Sequence, residues 1–261
     1  MMTNQPNASW SSSLLSNDVV LITGGARGIG YATAKSMHQA GARLVLLDRD
    51  ADALDTAVRD LAVEGRETVV AVVGDVRERA SFDRAVEQSR AAFDAPPSIF
   101  VSNAGITRDR TIAKMSENEF DEIVAIHLKG AFNGIQAVWP GMVAQRTGAL
   151  VFISSISAEG AFGQANYAAA KAALSGLSNT AALEGGRYGI RSNVVSFGAM
   201  DTELMQQTPD AVKATWTPKI PLGRFGSVEE AANGVVFLAS PLASYITGQN
   251  LVMDGGYSLP S

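Results

Sequence analysis

Short, almost wholly apolar runs alternate along this chain with longer alanine-rich stretches of helical spacing. "VVLIT" at Val19 to Thr23 reads as a strand and "IGYATAKSMHQA" as the helix after it. "RLVLLD", "TVVAVVGDV", "SIFVSNAG", "ALVFISS", "IRSNVVS" and "QNLVMDGG" read as further strands, all but the last followed by a helical segment. A strand that is apolar throughout must be covered on both faces, and a parallel neighbour needs a crossover, usually a helix. The pattern predicts one α/β domain: a doubly wound parallel sheet with helices on both faces. No linker-like segment divides it, so the domain is expected over 17–261, preceded by a flexible polar tail over 1–16 on which only Trp10 touches the body.

Charge and composition narrow the chemistry. A net charge of −5 with scattered Lys and Arg argues against nucleic acid and against an anionic membrane surface. The absence of cysteine removes disulfides, zinc thiolates and thiol nucleophiles, and fits a cytoplasmic protein. With only His38 and His127, a histidine metal site is not expected. The opening "MMTNQPNASWSSSLLSN" lacks the basic and apolar blocks of a secretory leader, and no apolar run reaches the ~20 residues of a membrane span.

"TGGARGIG" lies between the first strand and the first helix, with glycines at Gly24, Gly28 and Gly30. A tight strand-to-helix turn explains such glycines by itself. Glycine also lets backbone approach a pyrophosphate while the helix N-terminus faces the anion. Asp48, at the end of the second strand about 20 residues on, stands where a carboxylate receives an adenosine ribose. Together they predict dinucleotide binding. Asp48 repels a 2′-phosphate and favours NAD over NADP, whereas Arg27 and Arg49 pull the other way. Asp48 decides the expectation. Asp75, with Val76 beside it at the third strand's end, has two readings: acceptor for the adenine amino group, or N-cap of the next helix. "SNAG" brings Asn103, Ala104 and Gly105 toward the same edge.

The helix "ANYAAAKAALSG" carries Tyr167 and Lys171 one turn apart on one face. A tyrosine packed in the core with its lysine snorkelling out is the plain reading. A phenol of pKa ~10 is a poor base near neutrality, but an ammonium and a cationic nicotinamide beside it stabilise the phenolate. It then takes a proton from an alcohol while hydride leaves, and returns it in reverse, with Lys171 also holding the nicotinamide ribose. "ISSIS" sets serine hydroxyls at the sheet's carboxyl edge, where one of them orients the substrate oxygen.

Taken together, Thr23-Gly24-x-x-x-Gly28-Ile29-Gly30, Asn103-Ala104-Gly105, Tyr167-x-x-x-Lys171, "PLGRFGSVEEAANGVVFLAS" and "ASYITGQNLVMDGG" resemble the short-chain dehydrogenase/reductase family. The resemblance runs from Val19 to Gly256 and implies a Rossmann-like fold, NAD(P)-dependent carbonyl–alcohol oxidoreduction and a homotetramer. By family spacing the catalytic serine is Ser154; by strand pattern it is Ser155, which is preferred, with Ser157 the outsider. His127 stands in "HLKG" where the family has an Asn that helps hold a relay water; it is either an active imidazole or a packed one. Phe197 replaces the usual proline of "NVVSFGAMDT" and is expected in the nicotinamide pocket wall, while Gly198 and Thr202 keep cofactor positions. The expected substrate is a small secondary alcohol or ketone. Two alternatives are an NADPH-dependent 3-oxoacyl-thioester reductase and a non-catalytic NAD-binding sensor. A lid is expected over Met200 to Gly226, whose Leu204, Met205, Trp216 and Ile220 either close over an apolar ring or chain or simply pack the lid itself.

Overall fold

The computed structural model describes residues 10–62, 67–206 and 210–259. Seven parallel strands form one sheet: β1 (Val19–Thr23), β2 (Arg43–Asp48), β3 (Val69–Val73), β4 (Ile99–Ser102), β5 (Gly148–Ser155), β6 (Ile190–Phe197) and β7 (Asn250–Met253). Their order is β3-β2-β1-β4-β5-β6-β7. The chain winds outward from β1 to β3, then returns to place β4 on the other side of β1. That reversal opens a crevice at the carboxyl ends of β1 and β4.

Alternate residues of each strand feed opposite faces. Val20, Ile22, Leu44 and Leu46 face α1 (Gly28–Gln39), α2 (Ala51–Leu61) and α9 (Val228–Ala239). Val19, Leu21, Val45 and Leu47 face α3 (Arg79–Phe93), α5 (Gly130–Gln145) and α6 (Ala165–Gly185). On that second face Phe82, Phe100 and Phe152 stack edge to face, with centroids 6.1 and 6.4 Å apart. Gly134 of α5 lies directly against the Phe100 ring, where a Cβ has no room.

The segment before β1 departs from expectation. Residues 1–9 lie outside the described residues, but from Trp10 on the chain is held, because Leu15 is fully buried under α1 and β2 and the Trp10 indole donates to Asn233 of α9 at 3.0 Å.

The stretch "SENEFDEIVAIHLKGAFNGIQAVWPGM", opened by Ser116 with Glu119 three residues on in capping-box spacing, predicts one long helix, and it is one continuous spiral of three parts. α4 (Glu117–Val124) opens with a complete capping box between Ser116 and Glu119. A five-residue π turn, Ala125–Lys129, then leads into α5. Two short helices, α7 (Glu203–Gln206) and α8 (Asp210–Trp216), occupy the excursion between β6 and α9. That excursion leaves and returns through one parallel bridge between Met200 and Gly226.

Candidate active site

A cleft of about 490 Å³ runs along the carboxyl edge, from the glycine turn past Asn103, Ala104 and Gly105 to Tyr167 and Lys171. Its nucleotide end is built from backbone. Asn103 donates from its amide to the carbonyls of Thr23 and Gly24, both at 3.0 Å, tying β4 to the turn. Thr23 Oγ1 accepts from the N–H groups of Asn103 and Ala104, at 3.0 and 3.1 Å. Gly30 admits no Cβ, which would strike the Gly24 carbonyl. Gly28 has φ +54° and open space where its Cβ would stand. The first turn of α1 has no acidic residue and no side-chain cap, leaving its N–H groups to face the cleft. Free donors at a helix N-terminus, approached over bare glycine, fit a pyrophosphate, and Ile29 lines the same wall.

Asp48 closes this end, its Oδ2 accepting from the Ala26 N–H at 3.4 Å and its Oδ1 from the Asp50 N–H at 3.2 Å. Asp75 and Val76 line the cleft beyond it. The N-cap reading of Asp75 is overturned, since α3 starts at Arg79 with Glu78 before it. The Asp75 carboxylate instead receives the Arg77 guanidinium, which holds its pKa below the usual carboxylate value.

The other end is buried. The π turn widens the spiral and turns His127 inward, where its ring lies edge-on to Tyr167 at 5.3 Å. Gly105 passes against His127 so closely that a Cβ there would collide with the imidazole. His127 Nε2 sits 2.9 Å from the Ile106 carbonyl oxygen and 3.1 Å from the Ile106 N–H, so either tautomer finds a partner on that side. Nδ1 is the one buried side-chain polar atom without a hydrogen bond among the described residues. Burial, with the Lys171 charge nearby, pushes the imidazole down to about 3, so it is neutral at neutral pH.

Lys171, 4 % exposed, donates to the Ile153 carbonyl at 2.6 Å and stands 5.5 Å from the Tyr167 ring centroid. Burial lowers its pKa to about 7. The simple expectation that this ammonium depresses the tyrosine does not hold for the protein alone: desolvation raises Tyr167 above 10, and the opposing pull comes from a hydrogen bond with Ser155.

The two serines part company because adjacent strand residues point to opposite faces. Ser154 is buried and donates to the Lys171 carbonyl at 3.1 Å. Ser155 turns toward the phenol, its Oγ also accepting the Ser157 N–H at 3.1 Å.

Past β6 the picture changes. Without the proline, β6 continues through Phe197, which pairs with Ser155 and Met253 and is buried in the core on the α9 side. It does not form the expected pocket wall. Gly198 stands against Asp254, which leaves no room for a Cβ, and donates to the Met253 carbonyl at 3.0 Å; it is not part of the cleft lining. Thr202 does line the cleft, beside Glu203. In the excursion Ile220 is buried against Gly255, and Trp216 packs on Phe225 at 6.2 Å. The Leu204 side chain lies outside the described residues.

Sequence reasoning passed over Asn166, which is fully buried and donates to the carbonyls of Arg108 and Glu119, fixing the start of α6. Its signal was a polar residue on the face that also carries Lys171's apolar neighbours. Ile106, which brackets His127 through its backbone, leaves no signal in its side chain.

A doubly wound sheet, a bare helix N-terminus over glycine, an acid after β2 and a tyrosine–lysine pair at the switch point define a nucleotide-binding oxidoreductase. A family model described as enoyl-(acyl carrier protein) reductase matches residues 24–258. The (3R)-3-hydroxyacyl-CoA dehydrogenase of Rattus norvegicus is 40% identical over 93% of this chain and 96% of its own. The 3-oxoacyl-[acyl-carrier-protein] reductases FabG of Thermotoga maritima (39%) and Chlamydia trachomatis (38%) align over 93% and 94% of this chain, covering 98% and 99% of theirs. The chain belongs to the short-chain dehydrogenase/reductase family and is an oxidoreductase of that type. No helix among the described residues is long and apolar enough to cross a membrane.

Proposed function

We propose that this chain interconverts a secondary alcohol and a ketone with NAD as cofactor, and that the alcohol is the 3-hydroxyl of an acyl thioester. The observation that carries this is Tyr167, set between the Ser155 hydroxyl and the Lys171 ammonium on the wall of a cleft whose far end carries Asp48. The thioester comes from the names of the relatives, which act on hydroxyacyl and oxoacyl thioesters.

The nicotinamide supplies the hydride acceptor or donor. Tyr167 takes the hydroxyl proton in oxidation and returns it in reduction. Ser155 orients the substrate oxygen and stabilises its developing charge. Lys171, poised at about 7, shifts its charge toward the phenolate as the proton moves. His127 stays neutral and keeps the wall behind Tyr167 in place.

An NADPH-dependent 3-oxoacyl-thioester reductase uses the same residues in the opposite direction, and Arg49 on the cleft wall favours it. Asp48 favours NAD. Apolar side chains left exposed on α5 and α6 (Phe132, Leu183) and on edge strand β7 (Val252) support a homotetramer, which light scattering after gel filtration would read as four chain masses.

The test is NADH formation from NAD⁺ with 3-hydroxyacyl-CoA esters and with simple secondary alcohols, wild type beside Tyr167→Phe. Turnover should be higher with the thioester and fall by about 10²-fold or more in the variant. Equal turnover by the two proteins would sink the assignment of Tyr167.

A further inference from the structure

Arg27 is the cation nearest the glycine turn, yet its guanidinium does not point at an open phosphate site. Its Nη2 pairs with Asp50 Oδ2 at 2.5 Å. Asp50 is itself fixed. Its Oδ1 accepts the Ala53 N–H at 3.0 Å as the N-cap of α2, and its own N–H donates to Asp48 Oδ1 at 3.2 Å. Asp48 reaches back through Oδ2 to the Ala26 N–H, so the glycine turn and the loop after β2 are laced together by two acids. Arg27 borders both the cleft and a neighbouring groove lined by Asp52 and Asp60, so further carboxylates draw it the same way.

We infer that Asp50 is a second determinant of cofactor choice: it withholds Arg27 from the ribose 2′ position that Asp48 guards. Asp48 excludes a 2′-phosphate by repulsion, and Asp50 removes one of the two guanidiniums that would compensate, leaving Arg49 on the cleft wall. The inference deepens the NAD reading above and rests on it. The pair is exposed, 63% on Arg27 and 38% on Asp50, so the latch is modest and subordinate to Asp48.

The experiment is equilibrium binding of NAD⁺ and NADP⁺, without substrate, by calorimetry. Asp50→Asn keeps a capping acceptor while removing the charge. It should tighten NADP⁺ about five-fold, the scale of an exposed ion pair, and leave NAD⁺ within about two-fold. In an Arg27→Ala background the same change should gain nothing. Placed on Asp48→Ser, it should add a further gain of similar size. A gain that persists without Arg27 means plain charge repulsion by Asp50 and overturns the latch. A flat response in a wild type that prefers NAD⁺ also overturns the latch while leaving the NAD reading intact. A wild type that already prefers NADP⁺ overturns both.

Discussion

The two ends of the cleft hold their charges in opposite ways. At the nucleotide end Arg27, Asp50, Asp75 and Arg77 are partly open to solvent and meet in ion pairs. At the other end Lys171 and His127 are buried, meet no carboxylate in hydrogen-bond contact among the described residues, and are displaced toward their neutral forms. The first arrangement recognises a charged ligand at low cost, because water screens what the ligand does not meet. The second keeps ionisable groups in a setting where a small change in charge nearby moves a proton.

The largest effect should come from removing the buried amine. Lys171→Met should lower turnover by about 10²-fold or more. It should also change the pH dependence of stability. The folded pKa of about 7 lies below the unfolded value of about 10.5, so wild-type stability rises with pH through that window. In the variant, chemical denaturation across the same range should show a shallower rise.

At the nucleotide end the corresponding change is to the backbone. Gly30→Ala places a Cβ against the Gly24 carbonyl and the Asn103 amide. It should cost about 1–3 kcal/mol of stability and weaken NAD⁺ binding at least about ten-fold, as thermal melts and titration would show. A stable protein with unaltered NAD⁺ affinity would mean the turn is looser than its hydrogen bonds indicate.

The adjacent serines sharpen the contrast within a single strand. Ser155→Ala should reduce turnover about 10- to 100-fold with little change in melting temperature. Ser154→Ala should do the reverse, leaving turnover near wild type and costing about 1 kcal/mol through its lost bond to Lys171.

At neutral pH the smallest effect belongs to His127, whose substitution shows mainly in acid. The unfolded imidazole takes a proton as pH falls below about 6.5, and the folded one only near 3, so stability declines across that interval. His127→Asn should flatten the decline while leaving the neutral-pH activity profile unmoved. A turnover profile that loses an inflection near neutrality in this variant would show instead that the imidazole titrates during the reaction.

What the sequence made legible follows the same division. β1 and β2 were readable to the residue, because a buried parallel strand is an unbroken apolar run ended by glycine or acid. The capping box at Ser116 marked the start of α4 for a local reason: its two hydrogen bonds lie within four residues. The placement of the glycines and Asp48 at the cleft was readable because a strand-to-helix turn and a strand end are local features. The π turn at Ala125–Lys129 was not, since the spacing of "AIHLK" fits an ordinary helix and the extra residue is accommodated by tertiary contacts. Phe197 was misplaced for a related reason: side-chain identity does not tell which face of a strand meets the cleft once the strand runs longer than expected. Nor did Tyr167 and Lys171 spaced four apart reveal that burial, rather than their mutual charge, dominates both pKa values. Desolvation belongs to everything packed around a group, and no local pattern encodes it.

The bridge between Met200 and Gly226 gives the molecule a seam. The two ends of the excursion meet there, with the Asp201 N–H on the Gly226 carbonyl at 2.8 Å and the Gly226 N–H on the Ala199 carbonyl at 3.0 Å, and the Leu222 N–H adds a second tie to the Gly255 carbonyl at 3.1 Å. Lengthening a segment whose ends are already stapled costs only a slowly growing closure entropy. Descendants of this chain are thus free to lengthen or vary the part of the excursion beyond Thr202 and Glu203, which line the cleft, while Tyr167 and the glycine turn stay where they are.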